Sequence, residues 1–89
     1  MRYTVRVLVK FKAGVADPQG RTILAALHSL GYQGVRDVRA GKLFELVVEG
    51  TDEDAVRSRV EEMCGRLLAN PVLEDYEVSV LRALAGEGR

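Results

Sequence analysis

Three stretches of the chain are predicted to form strands, the first and third by the alternation of side chains with a period of two residues and the second by short runs of β-branched or aliphatic residues. The first stretch covers residues 3–11, where apolar side chains at every second position are separated mostly by polar ones. The second comprises residues 35–40 and 42–49, two short segments around Ala40-Gly41 that are predicted to form a hairpin. The third, residues 76–81, supplies a fourth strand.

Between the first and second of these stretches, apolar residues recur at the spacing of a helix instead. Asp17 and Pro18 are the residue types preferred at a helix start, and Gly31 is suited to the left-handed conformation that ends one. We therefore predict a helix over residues 18–30. Its apolar face is formed by Ile23, Leu24, Leu27 and Leu30.

A second helix is predicted over residues 52–69. Thr51 is expected to cap it, and Asn70-Pro71 to end it. Its apolar stripe consists of Val56, Val60, Met63 and Leu67.

The resulting order, βαββαβ, predicts the α+β class and a two-layer sandwich related to the ferredoxin-like fold. An antiparallel sheet of four strands is expected, with both helices on one face. We expect one domain over residues 1–89, with a flexible tail at 82–89. A chain of this size buries only about 60–65% of its unfolded surface, so self-association would add burial.

The sheet face opposite the helices is predicted to be partly apolar. Charged side chains alternate there with a band of aliphatic ones, and an exposed apolar patch usually marks an interface. We therefore expect a homodimer or homotetramer that associates either sheet to sheet through this face or edge to edge. The alternative is a scatter of surface aliphatic residues, which is common. The proposed oligomer interface consists of Leu8, Leu43, Val47 and Leu81.

The overall charge balance argues against two classes of partner. Thirteen basic residues match thirteen acidic ones, so there is no general attraction to nucleic acid or to an anionic membrane. A single cysteine forms no internal disulfide, and the N-terminal residues lack the apolar run of a signal peptide. A cytoplasmic location is expected.

Residue types that carry catalysis are sparse. His28 and Cys64 are the single residues of their kinds, so the sequence offers no zinc site, no other metal site and no catalytic residue that we can identify. Arg36, Arg39 and Lys42 cluster around the predicted hairpin. Together with Lys12 they would bind a phosphorylated ligand or an acidic partner, or alternatively they would keep strand edges from pairing.

The turn into the first helix stands out as a docking feature. Gly20 lies in the first helical turn, where glycine costs about 1 kcal/mol relative to alanine. A bare backbone there predicts a neighbour too close for a Cβ atom, either in this chain or in another. Asp17 competes with phosphate for the N–H groups of the helix start, which disfavours a phosphate site.

Several motifs together resemble the PurS family, the small subunits of phosphoribosylformylglycinamidine (FGAM) synthase. The resemblance spans nearly the whole chain, and the pairing of a DPQG corner with an LLANP helix end is its most specific part. The matching segments are Gly14-Val15, Asp17-Pro18-Gln19-Gly20, Leu30-Gly31-Tyr32, Val38-Arg39, Gly41-Lys42, Cys64, Leu67-Leu68-Ala69-Asn70-Pro71-Val72 and Glu74-Asp75-Tyr76.

This resemblance implies a role in purine biosynthesis without a catalytic site on this chain. In the family, a glutaminase subunit (PurQ) releases ammonia and a synthetase subunit (PurL) uses ATP and magnesium to amidate formylglycinamide ribonucleotide. The small subunit bridges the two and needs no cofactor itself. The residues expected to contact partners are Asp17, Pro18, Gln19, Gly20, Arg39, Lys42, Asn70 and Pro71. An alternative from the βαββαβ order alone is a regulatory module similar to ACT domains, which bind small ligands.

Overall fold

The computed structural model describes residues 1–83, which form a three-stranded antiparallel sheet and two helices. The first strand along the chain is central, and the sheet order is β2-β1-β3. In chain order the elements are β1 (Arg2–Phe11), α1 (Pro18–Ser29), β2 (Gly41–Glu49), α2 (Glu53–Met63) and β3 (Glu74–Ala83). A π-helical segment, Cys64–Leu68, continues α2.

The core lies between the inner face of β1 and helix α2. Val5, Val7 and Val9 are fully buried, as are Val60 and Cys64 on the helical side. Since β1 pairs with a strand on each side, its alternating valines receive cover from both neighbours as well as from α2. The alternation seen in the sequence therefore places the central strand correctly.

The prediction of a four-stranded sheet is wrong, because residues 35–40 do not form a strand. The backbone N–H of Ala40 donates to the Asp17 carboxylate instead of to a neighbouring strand. The segment predicted to pair with residues 35–40 in a hairpin is β2, and it pairs with β1 instead. This pairing runs from Arg2↔Glu49 to Lys10↔Gly41. Residues 35–40 are left as an irregular segment that returns the chain from α1 to the sheet.

The second helix begins and ends differently from the prediction. Asp52, not Thr51, caps α2, and its Oδ1 accepts a hydrogen bond of 2.8 Å from the N–H of Ala55. At the other end the N–H of Ala69 donates to the carbonyl of Cys64, a π-type bond that shifts the phase of the apolar stripe. Leu67, predicted to be buried, is consequently 82% exposed.

Helix α1 does not join the core, so the expectation that both helices cover the sheet is met only by α2. Gly20 is the only buried residue of α1. As predicted, Gly31 follows the helix with a positive φ, 101°. We call α1 and its return segment, residues 18–40, the α1 arm. The molecule is extended: its radius of gyration is 16.7 Å, whereas a compact domain of this length has about 12 Å.

The last strand reaches Ala83, two residues into the segment predicted to be a tail, and residues 84–89 lie outside the described part of the chain. Within the described residues, neither helix has the length and apolar character needed to cross a membrane.

Candidate partner-binding site

Asp17 fixes the geometry of the predicted site because its carboxylate joins the two ends of the α1 arm. Oδ1 accepts a hydrogen bond of 3.0 Å from the N–H of Gly20, and Oδ2 accepts one of 2.8 Å from the N–H of Ala40. The residue is only 5% exposed. The bond from Gly20, then that from Ala40, and more weakly the charge of Arg39 lower the pKa of Asp17, while burial opposes them. The carboxylate is therefore held ionised at neutral pH.

Arg39 completes the attachment of the arm to the sheet. Its Nη2 lies 3.2 Å from the carbonyl oxygens of both Phe11 and Lys12, to which it donates at the end of β1. The side chain predicted to bind an acidic partner thus contacts the chain's own backbone. Asp17 and Arg39 together hold the base of the arm by polar contacts.

Gly20 has the close neighbour that its position predicted, and that neighbour belongs to the same chain. A Cβ atom added there would clash with the carbonyl oxygen of Val38 and lie 2.7 Å from Oδ2 of Asp17. The corner, residues 17–20, therefore has two parts. Asp17 and Gly20 are buried and shape it, whereas Pro18 and Gln19 are exposed on its surface.

The other predicted contact residues lie at the same end of the sheet. Nζ of Lys42 is 3.9 Å from Oε2 of Glu74, whose side chain is 13% exposed, and Oε1 of Glu74 accepts from the N–H of Asn70 at 2.7 Å. Asn70 also accepts from Val72 N–H through its side chain, so it orders the turn that presents exposed Pro71. We call this end, where β1 stops and β2 and β3 start, the corner end.

Two clefts flank Asp17 at the corner end. One, of about 350 Å³, lies against the arm and includes Arg21 and Leu24. The other, of about 220 Å³, lies between the sheet and the corner and includes Gln19, Lys42 and Glu74. Side chains of both charges line each cleft, so the surface suits a mixed polar and apolar protein contact better than a purely anionic ligand.

Sequence reasoning missed the exposed apolar side chains beside this turn. Leu67 is 82% exposed and Val72 is 77% exposed. Leu67 was assigned to the buried stripe by its spacing, and only the π-helical segment changes its side. Val72 directly follows the turn at Asn70-Pro71, and this position in the sequence could have indicated that its side chain is exposed.

The proposed oligomer interface lies on the outer face of the sheet, away from α2. Leu43 is 62% exposed and Val47 is 56% exposed, and Leu8 pairs directly with Leu43 across the strands. The ion pair between Arg6 and Glu45, 3.0 Å long, separates this pair from Val47. Leu81, 38% exposed, lies where the pairing of β1 with β3 is irregular.

His28 and Cys64, the two residues considered for nucleophilic chemistry, both make contacts that support the fold. Nε2 of His28 lies 2.8 Å from the carbonyl oxygen of Val35, so the ring connects α1 to the return segment. Cys64 is fully buried, and burial, with a smaller effect from Glu61, raises the pKa of its thiol. Among residues 1–83, no group of three or more histidine, cysteine or acidic side chains is placed to hold a metal ion.

Comparison with known proteins gives one consistent result. A family profile described as "PurS: Phosphoribosylformylglycinamidine (FGAM) synthase" matches residues 4–82. A curated Bacillus subtilis protein, phosphoribosylformylglycinamidine synthase subunit PurS, is 48% identical over 83 residues, covering 93% of this chain and 98% of that protein.

Solved structures agree in fold. The crystal structure of Methanocaldococcus jannaschii PurS, described as one of the subunits of formylglycinamide ribonucleotide amidotransferase in the purine biosynthetic pathway, is 44% identical, with a TM-score of 0.81 over 90% of this chain and 96% of that one. A chain of PurLQS from Thermotoga maritima is 33% identical, with a TM-score of 0.84 over 91% of this chain and 99% of that one.

Proposed function

This chain belongs to the PurS family, the small subunits of FGAM synthase, and on that premise we propose that it joins the glutaminase subunit PurQ to the synthetase subunit PurL. This family membership confirms the resemblance that the DPQG corner and the LLANP helix end indicated. The PurLQS structure from Thermotoga maritima supports the proposed partners, since a chain of that assembly has this fold.

The chemistry of the reaction explains why a subunit without catalytic residues is useful. Ammonia released into water becomes protonated and is then no nucleophile, so the sites that produce and use it must be aligned and shielded from solvent. ATP and magnesium are used, in this proposal, by PurL, and no cofactor binds this chain. In this proposal the complex is cytoplasmic.

The observation that carries the proposal is the meeting of three contact segments at the corner end. Gln19 of the corner and Lys42 on β2 line one cleft with Glu74, and Glu74 also accepts from the N–H of Asn70 in the turn at Asn70-Pro71. In this proposal these segments, with exposed Pro18, contact PurL or PurQ. In this arrangement Asp17 and Gly20, which are buried, and Arg39, which is exposed but bonded to the backbone of Phe11 and Lys12, fix the shape of the surface. The outer-face residues Leu8, Leu43, Val47 and Leu81 are a separate contact, between copies of this chain.

The ACT-like alternative loses its basis, because it depended on a four-stranded βαββαβ sheet and this sheet has three strands.

The proposal is tested by mixing the chain with PurL and PurQ of the same organism and measuring the masses formed by size-exclusion chromatography with light scattering. We expect a ternary complex, weakened at least about tenfold by Gln19→Arg, because a charged side chain at the centre of a packed contact is costly. Ala25→Arg, on the same helix but outside the corner end, is the matched control. An unweakened complex with Gln19→Arg, or the absence of any ternary complex, would contradict the proposal.

A further inference from the structure

The smaller of the two clefts at the corner end has on its wall a lysine whose ammonium group makes only a loose contact. Nζ of Lys42 lies 3.9 Å from Oε2 of Glu74, which is longer than a hydrogen bond. This contact therefore uses none of the three N–H donors of the ammonium group. The side chain of Lys42 is 58% exposed, so these donors can reach a group that enters the cleft.

Another lysine at the corner end is paired much more closely. Nζ of Lys12 donates to Oδ1 of Asp75 at 2.6 Å. Glu74 bonds to the turn instead: its Oε1 accepts from the N–H of Asn70 at 2.7 Å, and its side chain is only 13% exposed. Glu74 thus attracts Lys42 toward the cleft without satisfying its donors.

The size of the cleft favours a side chain over a free small molecule. Its volume is about 220 Å³, whereas pockets for small molecules usually span about 300–1,000 Å³. Its lining combines the polar side chains of Gln19 and Lys42 with apolar surface from Val9, Phe11 and Ala40. Such a lining matches a short side chain that has methylene groups and a polar end.

The charges that line the cleft select a carboxylate as that polar end. Two lysines, Lys10 and Lys42, are balanced by two carboxylates, Asp17 and Glu74. Both oxygens of Asp17 and one of Glu74 already accept N–H groups, so the unused hydrogen-bonding capacity is mostly that of donors. A phosphate group, with a charge of about −1.5 to −2 at neutral pH, would be repelled by both carboxylates. A carboxylate carries a single negative charge, which the donors of Lys42 can bind.

We propose that this cleft receives the carboxylate of an aspartate or glutamate side chain from the partner subunit that docks at the corner end, and that Lys42 binds this carboxylate. The inference rests on the proposed function, because the acidic side chain belongs to PurL or PurQ. Moving Lys42 away from Glu74 costs little, since an exposed ion pair contributes little to stability. In the complex the new ion pair is shielded from water and hydrogen-bonded, so it selects a partner that carries a carboxylate at this position.

The direct test treats the assembled complex of this chain, PurL and PurQ with a water-soluble carbodiimide, which couples a lysine amine to a carboxylate in contact with it. We expect mass spectrometry to identify a peptide in which Lys42 is joined to an aspartate or glutamate of PurL or PurQ, and mixtures with each subunit alone to show which one supplies it. The peptide should be absent for Lys42→Arg, which has no amine. Coupling of Lys42 only to Glu74 or to a second copy of this chain, or no coupling of Lys42 while Lys12 couples to Asp75, would overturn the inference.

A second measurement separates this contact from the assembly of the complex as a whole. Lys42→Glu should raise the dissociation constant of the ternary complex at least about thirtyfold, because two carboxylates would then meet in the cleft. Arg59→Glu is the matched control, since it makes the same change of charge at an exposed position of α2 that lines neither cleft. Equal affinities of the two variants would overturn the inference while leaving the proposed function intact, whereas absence of any complex with the unaltered chain would contradict both.

Discussion

The two helices of this chain carry similar apolar stripes but have opposite fates. In α2, Val56 is 1% exposed and Val60 is fully buried against the valines of β1. In α1, only Gly20 is buried, and Leu30 is 73% exposed. An amphipathic pattern therefore predicts that a helix has a face to bury, but it does not say whether the covering surface lies in the same chain.

The attachments of the two helices differ in kind as well. Helix α2 is held by burial of aliphatic side chains, which is non-directional and adds up over area. The α1 arm is held by hydrogen bonds of Asp17 and Arg39 at its base, which fix a direction while burying little. The first attachment builds the core, and the second fixes the direction of the arm while leaving most of α1 outside the core.

The largest expected contrast between the helices is in the free energy of unfolding. Val60→Ala removes two methyl groups from the centre of the core and should destabilise the chain by about 2–3 kcal/mol. Ile23→Ala should change the stability of the dissociated chain by less than about 0.5 kcal/mol, because that side chain meets little of its own chain. Urea unfolding at low protein concentration measures the free energy of unfolding of both variants. Equal losses of stability would contradict the claim that only α2 belongs to the core.

A smaller effect is expected at the base of the arm. Gly20→Ala forces a Cβ against the carbonyl of Val38, and overpacking of this kind costs about 1–3 kcal/mol. Gly65→Ala is the matched control, because a Cβ there meets nothing within 4 Å. Hydrogen exchange should show faster exchange in the arm of the Gly20 variant and unchanged exchange in α2. Uniformly faster exchange would mean that the arm is not a separate unit.

The smallest expected effect is a pH dependence confined to the arm. Because the pKa of Asp17 is lowered in the folded chain, its contribution is present above the usual carboxyl pKa of about 4 and is lost as pH falls through the lowered value. The protection of the Gly20 and Ala40 amides, relative to their intrinsic exchange rates at each pH, should therefore fall on acidification before that of Val60. In the Asp17→Asn variant this loss of protection in the arm on acidification should be absent. If it persists, the titrating group is not Asp17.

Periodicity in the sequence located five of the elements, but the partners of the segments depended on distant residues. Residues 35–40 were predicted as a strand from their β-branched and aliphatic residues, yet the N–H of Ala40 donates to a carboxylate 23 positions away in the sequence. Asp17 was recognised as a helix cap, while its second bond could not be inferred from local spacing. The π-type bond between Ala69 and Cys64 has no reliable sequence signal, so Leu67 was assigned to the wrong side.

The same limit applies to the site. Residue types at the corner and at Asn70-Pro71 indicated candidate contact segments, and the family resemblance suggested their partners; both stay predictions. Which of these residues are exposed and which lie beneath the surface depends on the packing of Gly20 against Val38, a contact between segments that are not neighbours in the sequence.

The measurement that most directly tests the central claim is the rate of FGAM formation by PurL and PurQ with glutamine as nitrogen donor, with and without this chain. We expect the glutamine-supported rate to fall at least about tenfold when the chain is omitted, because the two active sites are no longer aligned. The rate with added ammonia, which needs no alignment, should change less than about twofold. An unchanged glutamine-supported rate, or turnover by the purified chain alone, would contradict the claim that this protein acts by joining its partners.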